Sequence, residues 1–171
     1  MINLIYKLWL LWVSPRLGSD VFYPLPEWLK SYMSRYPLYK RVQYYSRLLN
    51  GVDMSFIAPN NLACCESMTR LLRNLNPNLT PMFTYTPDFR DHMKSSKHYI
   101  QLDERLATLI GGGVIVIAPT KQGVFTGHVG VLDKGRIWSN SSENGRWSNK
   151  FSLLTFKNYY HKLDIEYYLP V

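Results

Sequence analysis

Apolar positions fall into distinct regimes along this chain, and each regime predicts a different element. From Pro26 to about Tyr36 and from Leu38 to about Leu49 the apolar residues recur at helical spacing, and the two runs are closed by Pro37 and Gly51. The run Cys64-Cys65-Glu66-Ser67-Met68-Thr69-Arg70-Leu71-Leu72-Arg73-Asn74-Leu75 predicts a third helix, and Thr86-Pro87-Asp88 starts a fourth through about Lys94. Beyond it the period shortens. Strands are predicted at Tyr99 to Leu102, Val114 to Ala118, His128 to Leu132, Arg136 to Asn140 and Leu163 to Leu169, with Asp133-Lys134-Gly135 turning a hairpin. A loop joins Leu102 to the Gly111-Gly112-Gly113 turn. A polar loop covers Trp147 to Ser152, and a short helix lies near Thr155 to Tyr160.

Helices first and antiparallel strands second predict an α+β fold, with N-terminal helices packed on a small antiparallel sheet. The predicted division is a helical N-terminal extension over 1–60 and a second unit over 61–171. The extension is either an accessory layer or a set of helices that pack on the second unit. Its first segment, Ile2 to Val13, is apolar for about twelve residues, short of the roughly 20 that cross a bilayer as a helix. Lys7 interrupts it and no small-residue cleavage site comes after it, so it does not read as a secretory signal. Burial or docking to a partner ranks ahead of a membrane-surface anchor, because Trp9 and Trp12 would otherwise be exposed.

The net charge of +8 attracts polyanions: nucleic acid, anionic lipid or the anionic polymers of a bacterial wall. The basic residues are scattered, which is also the pattern of a solvated surface. Two cysteines adjacent in sequence are expected as free thiols. Four dispersed histidines and no ligand spacing predict no metal, and GGGV before a strand lacks the lysine of a phosphate loop, so no cofactor is expected.

The candidate chemistry combines a thiol with an imidazole. Cys64 at a helix N-terminus sits at the positive end of the dipole, with free backbone N–H groups for an oxyanion. His128 opens a strand between Gly127 and Gly130, where it can serve as base. Asn140 ends the next strand of the hairpin, where its side-chain carbonyl could fix the imidazole. The same residue types also coexist in inert domains.

The segment ACCESMTRLL resembles the nucleophile helix of the CHAP and NlpC-type papain-like cysteine peptidases, in particular their bacteriophage versions. The stretch GGGVIVIAPTKQGVFTGHVGVLDKGRIWSNSSENGRWSNK, with the aromatic tail after it, resembles their histidine hairpin. The likeness covers about Asn61 to Val171. It implies a papain-like fold with Cys64 as nucleophile, His128 as base, Asn140 as the third member, and Glu66 and Ser67 as supports. Two departures stand out: Gly113, where relatives often carry Asp, and Cys65, where a small residue is usual. The order Cys then His argues against the permuted acyltransferase relatives.

The expected function is a peptidoglycan-degrading cysteine amidohydrolase, an endopeptidase or amidase of phage type, working through an acyl-enzyme. Trp138, Ser141 and Trp147 are the candidate substrate contacts, with core packing as the alternative role of the tryptophans. The expected partner is bacterial peptidoglycan, with virion or tail proteins reached through the N-terminal helix, and the expected location is the virion or the host envelope. The rival readings are a catalytically idle papain-like virion component and a basic nucleic-acid-binding protein, the latter resting on charge and aromatics alone.

Overall fold

A computed structural model describes residues 25–54, 63–141 and 145–171. The apolar segment Ile2 to Val13 and most of the loop before Cys64 lie outside the described residues. The described helices are α1 (Glu27–Met33), α2 (Leu38–Leu48), α3 (Cys64–Leu75), α4 (Thr86–Ser95), α5 (Glu104–Ile110) and α6 (Leu153–Tyr159). The strands are β1 (Tyr99–Leu102), β2 (Gly112–Ala118), β3 (His128–Asp133), β4 (Arg136–Asn140), β5 (Trp147–Ser152) and β6 (Glu166–Pro170). They form one antiparallel sheet in the order β1-β6-β2-β3-β4-β5. The fold is therefore α+β. None of the described helices is long and apolar enough to cross a membrane.

Helices cover both faces of the sheet. On one face Leu29 of α1, Val42 and Tyr45 of α2, and Met68 and Leu72 of α3 share a core with Ile115, Ile117, Val129, Val131 and Trp138. On the other face Val114, Val116, Ala118, Leu132 and Ile137 pack against Ala107 of α5 and Phe156 of α6, with Tyr160 just beyond its end. This explains the unbroken apolar run of β2, every residue of which is buried: alternate side chains feed two cores rather than one core and solvent. The described part of the N-terminal extension, α1 and α2, packs directly on the sheet and on α3.

The position of α2 is fixed by a close crossing. A Cβ at Gly113, whose φ is +80°, would lie 1.9 Å from the Tyr39 carbonyl oxygen, and one at Gly112 would meet the side chain of Gln43. Only glycine lets the helix backbone come this near the sheet. The same helix is tied to the end of β3: Arg47 Nε and Nη2 each donate to Asp133 at 2.6 Å, Gln43 Nε2 donates at 2.7 Å, and Trp138 Nε1 adds a third partner from β4. Burial alone would raise the Asp133 carboxyl, but the hydrogen bonds from Arg47 and Gln43 outweigh it and hold the group below its ordinary pKa.

Two predicted loops are regular elements. Trp147 to Ser152 is the edge strand β5, whose polar Ser148, Asn149 and Lys150 alternate around a bulge opposite β4; polar composition suits an exposed edge and disguises it as a loop. Residues after Leu102 form α5, capped by the Asp103 side chain on Leu106 N–H and ended by Gly111 in the left-handed region. Its exposed Leu106 and Leu109 break the amphipathic pattern that would have signalled a helix. The last strand starts at Glu166, not at Leu163. The β3–β4 hairpin turns as expected, with Lys134 at φ 51° and Gly135 at φ 74°.

Gly113→Ala should destabilise the protein by about 3 kcal/mol or more, because positive φ and a backbone collision act together. Gly123→Ala, at φ +73° with open space around it, should cost only about 1–2 kcal/mol. Urea unfolding midpoints of the two variants measure the difference, and equal losses would deny the crossing any special role.

Candidate functional site

Cys64 is the first residue of α3 and His128 the first of β3, so the fold delivers both to one end of the sheet. Backbone N–H groups of Val129, Cys65 and Cys64 itself are directed at the Cys64 sulfur. Two of these are the unbonded donors of a helix start, and the third comes from the strand residue next to His128. These amides favour the anionic form of the sulfur. Both cysteines are free and buried. Cys65 is buried completely, and successive residues on a helix point about 100° apart, so the two sulfurs face different surroundings.

His128 is held by aromatic rings. The Tyr160 ring lies parallel to the imidazole, with centroids 5.6 Å apart and 5° between planes, while Phe151 and Phe156 approach at 5.9 and 6.1 Å. These rings come from β5, α6 and the residue after it, a group that sequence reasoning missed. The signal available was the aromatic cluster Phe151, Phe156, Tyr159 and Tyr160 downstream of the hairpin. Tyr160 is also within electrostatic reach of the Cys64 sulfur; burial first and that neighbour second raise its hydroxyl far above the ordinary tyrosine value. Tyr160 is thus the side chain that borders both groups.

Strand alternation puts the imidazole on the α6 side of the sheet, whereas Val129, Val131 and the cysteines belong to the core on the α3 side. Imidazole Nε2 is buried and has no hydrogen-bond partner among the described residues, so that nitrogen makes no bond to the thiol. Asn140 is buried and pairs with Trp147 on the neighbouring strand. Two residues from Trp138, it shares that residue's α3-side face, so its amide and the His128 ring project from opposite faces. Extending the β3–β4 register from Val131↔Trp138 brings Ser141, itself buried, across from His128 instead.

The remaining predicted residues serve the core. Trp147 is fully buried and its Nε1 donates to the Ser46 carbonyl; Trp138 is buried with its Nε1 on Asp133. Neither indole presents a face for a sugar, and core packing is their observed role. Glu66 and Arg70 form an ion pair at 2.6 Å one turn apart, both buried. Ser67 is buried beside them. Among the described residues no group of His, Cys, Asp and Glu could hold a metal ion.

Burial sets the charge states. It pushes the Cys64 thiol up to about 11, against the pull of the three backbone amides, and pushes His128 down to about 4. Near neutral pH the pair is therefore thiol and neutral imidazole. With a pKa of about 11 only about one Cys64 in ten thousand is thiolate at pH 7. Iodoacetamide should accordingly label Cys64 slowly at pH 7, with a rate rising about tenfold per pH unit up to pH 10. Peptide mass spectrometry separates it from Cys65, and fast labelling at pH 7 would overturn the assignment.

The histidine makes a second prediction. Unfolded, it takes up a proton near 6.5; folded, only near 4. Between those values the unfolded state binds more protons, so stability falls as pH drops from 6.5 to 4, by on the order of 3 kcal/mol for this group. The stability curve of His128→Phe should lack that component, as thermal unfolding across the pH range will show. No protein-family model and no curated protein sequence matches the chain.

Proposed function

We propose that the chain is a papain-like cysteine amidohydrolase acting on the amide bonds of bacterial peptidoglycan. The observation that carries the reading is the sulfur of Cys64 at a helix start, where three backbone amides, one of them from the residue after His128, favour its anion. In the proposed cycle the His128 imidazole turns past the start of β3 toward Cys64 and accepts the thiol proton as sulfur attacks the amide carbonyl; the imidazolium then protonates the departing amine, and water activated by the same imidazole releases the acyl group and restores the thiol. The oxyanion is met by backbone donors of the α3 start. The two pKa displacements share burial as their main cause, so admitting water and a polar substrate brings the values toward each other and favours proton transfer. In this reading Ser141, which continuation of the β3–β4 register would set opposite His128, takes the place of Asn140 as the third polar member. The net charge of +8 favours adsorption to an anionic wall.

A second reading is favoured by a specific observation: thiol and imidazole are both buried and uncharged near neutral pH, and Nε2 has no hydrogen-bond partner among the described residues. That is the condition of a catalytically idle relative used as a structural or attachment part of a virion. Cys64→Ala separates the readings. Purified walls treated with the parent protein should release muropeptides, identified by mass spectrometry, and the variant should lose at least about a thousandfold of that activity while keeping its circular dichroism. Equal release by the two proteins, or none from the parent, would remove the enzymatic reading.

A further inference from the structure

A cavity of about 240 Å³ lies on α1 and α2, away from Cys64 and His128. Tyr32, Tyr36 and Tyr44 line it together with Lys40, Arg41 and Arg47, and none of its lining residues is acidic. The phenols of Tyr32 and Tyr36 meet at 3.1 Å with their rings 5.6 Å apart, so they form one wall.

The three cations are not equivalent. Arg47 is committed to Asp133 through two bonds of 2.6 Å. Among the described residues Lys40 reaches only the amide oxygen of Gln43, at 3.5 Å, and the face of Tyr39. Arg41 lines the cavity and forms no ion pair among the described residues. A guanidinium without a counter-charge pairs best with an oxyanion. Lys40 and Arg41 both line the cavity and carry like charge, so an anion held there also relieves their repulsion.

We propose that this cavity binds a phosphorylated sugar, with the phosphate on Arg41 and Lys40 and the sugar ring against Tyr32, Tyr36 and Tyr44. Tyrosine supplies a flat apolar face with a polar rim, which suits a pyranose or furanose ring and its hydroxyls. The volume is below the range of about 300 Å³ and more that holds larger ligands, so one ring with one phosphate fits and a polymer does not. This site shares no residue with the thiol site and stands whether or not that site is an enzyme.

Calorimetric titration of the full chain with glucose 6-phosphate tests the assignment, with glucose, inorganic phosphate and AMP as the other arms. Glucose 6-phosphate should bind at least about tenfold more tightly than glucose or inorganic phosphate, since one charge-assisted contact or one stacked ring is worth about that factor. Arg41→Gln and Lys40→Gln, each checked for unchanged thermal unfolding, should each weaken it by about tenfold or more. Inorganic phosphate binding as tightly would deny the ring a part, AMP binding more tightly would overturn the sugar, and undiminished binding by Arg41→Gln would overturn the site.

Discussion

The crossing of α2 over the start of β2 is the contact on which the rest of the arrangement depends. Two glycines remove the side chains that would hold the helix off the sheet, and Asp133 then fastens Gln43 and Arg47 to the far end of β3. With α2 in place, α3 lies beside it against β3 and β4, and Asn74 of α3 donates to the Tyr45 hydroxyl of α2. The start of α3 then falls where Val129 can reach the sulfur. A side chain at Gly113 is excluded by the Tyr39 backbone, which occupies that space.

Burial is the dominant electrostatic influence at the thiol. Three amide donors favour the thiolate, yet removal from water outweighs them, and the imidazole is discharged by the same cause. A cysteine favoured by N–H groups is therefore not by that fact a reactive cysteine. What decides is whether the aromatic cover over His128, with Tyr160 bordering both groups, admits solvent.

Much of the fold was legible because most elements carry a period. The helices over Glu27–Met33, Leu38–Leu48 and Cys64–Leu75, and the hairpin from His128 to Asn140, lie where apolar spacing and turn residues put them. α5 and β5 were hidden because exposed leucines and a polar edge strand lack a one-sided pattern. At the site, Cys64 and His128 were legible as a pair of element starts. The side of the sheet that His128 faces was not, because alternation gives faces only once the register with β2 and the partners of each face are known. For the same reason Asn140 looked like a neighbour of the imidazole in sequence terms, while the pleat sends the two side chains apart. Trp138 and Trp147 show the converse: an indole near a candidate site in sequence is more readily explained by a core that needs its volume.

The sheet order carries a consequence for how the chain assembles during synthesis. β6, the last strand in chain order, lies between β1 and β2 rather than at an edge. Until Glu166–Pro170 leave the ribosome, β1 has no neighbour and β2 exposes one row of backbone groups to anything able to pair with it. A nascent chain or a fragment ending before residue 166 is then a four-stranded sheet with an open edge at β2 and an unpaired β1, both prone to capture by other strands. The architecture becomes a single cooperative unit only when its final strand closes the gap.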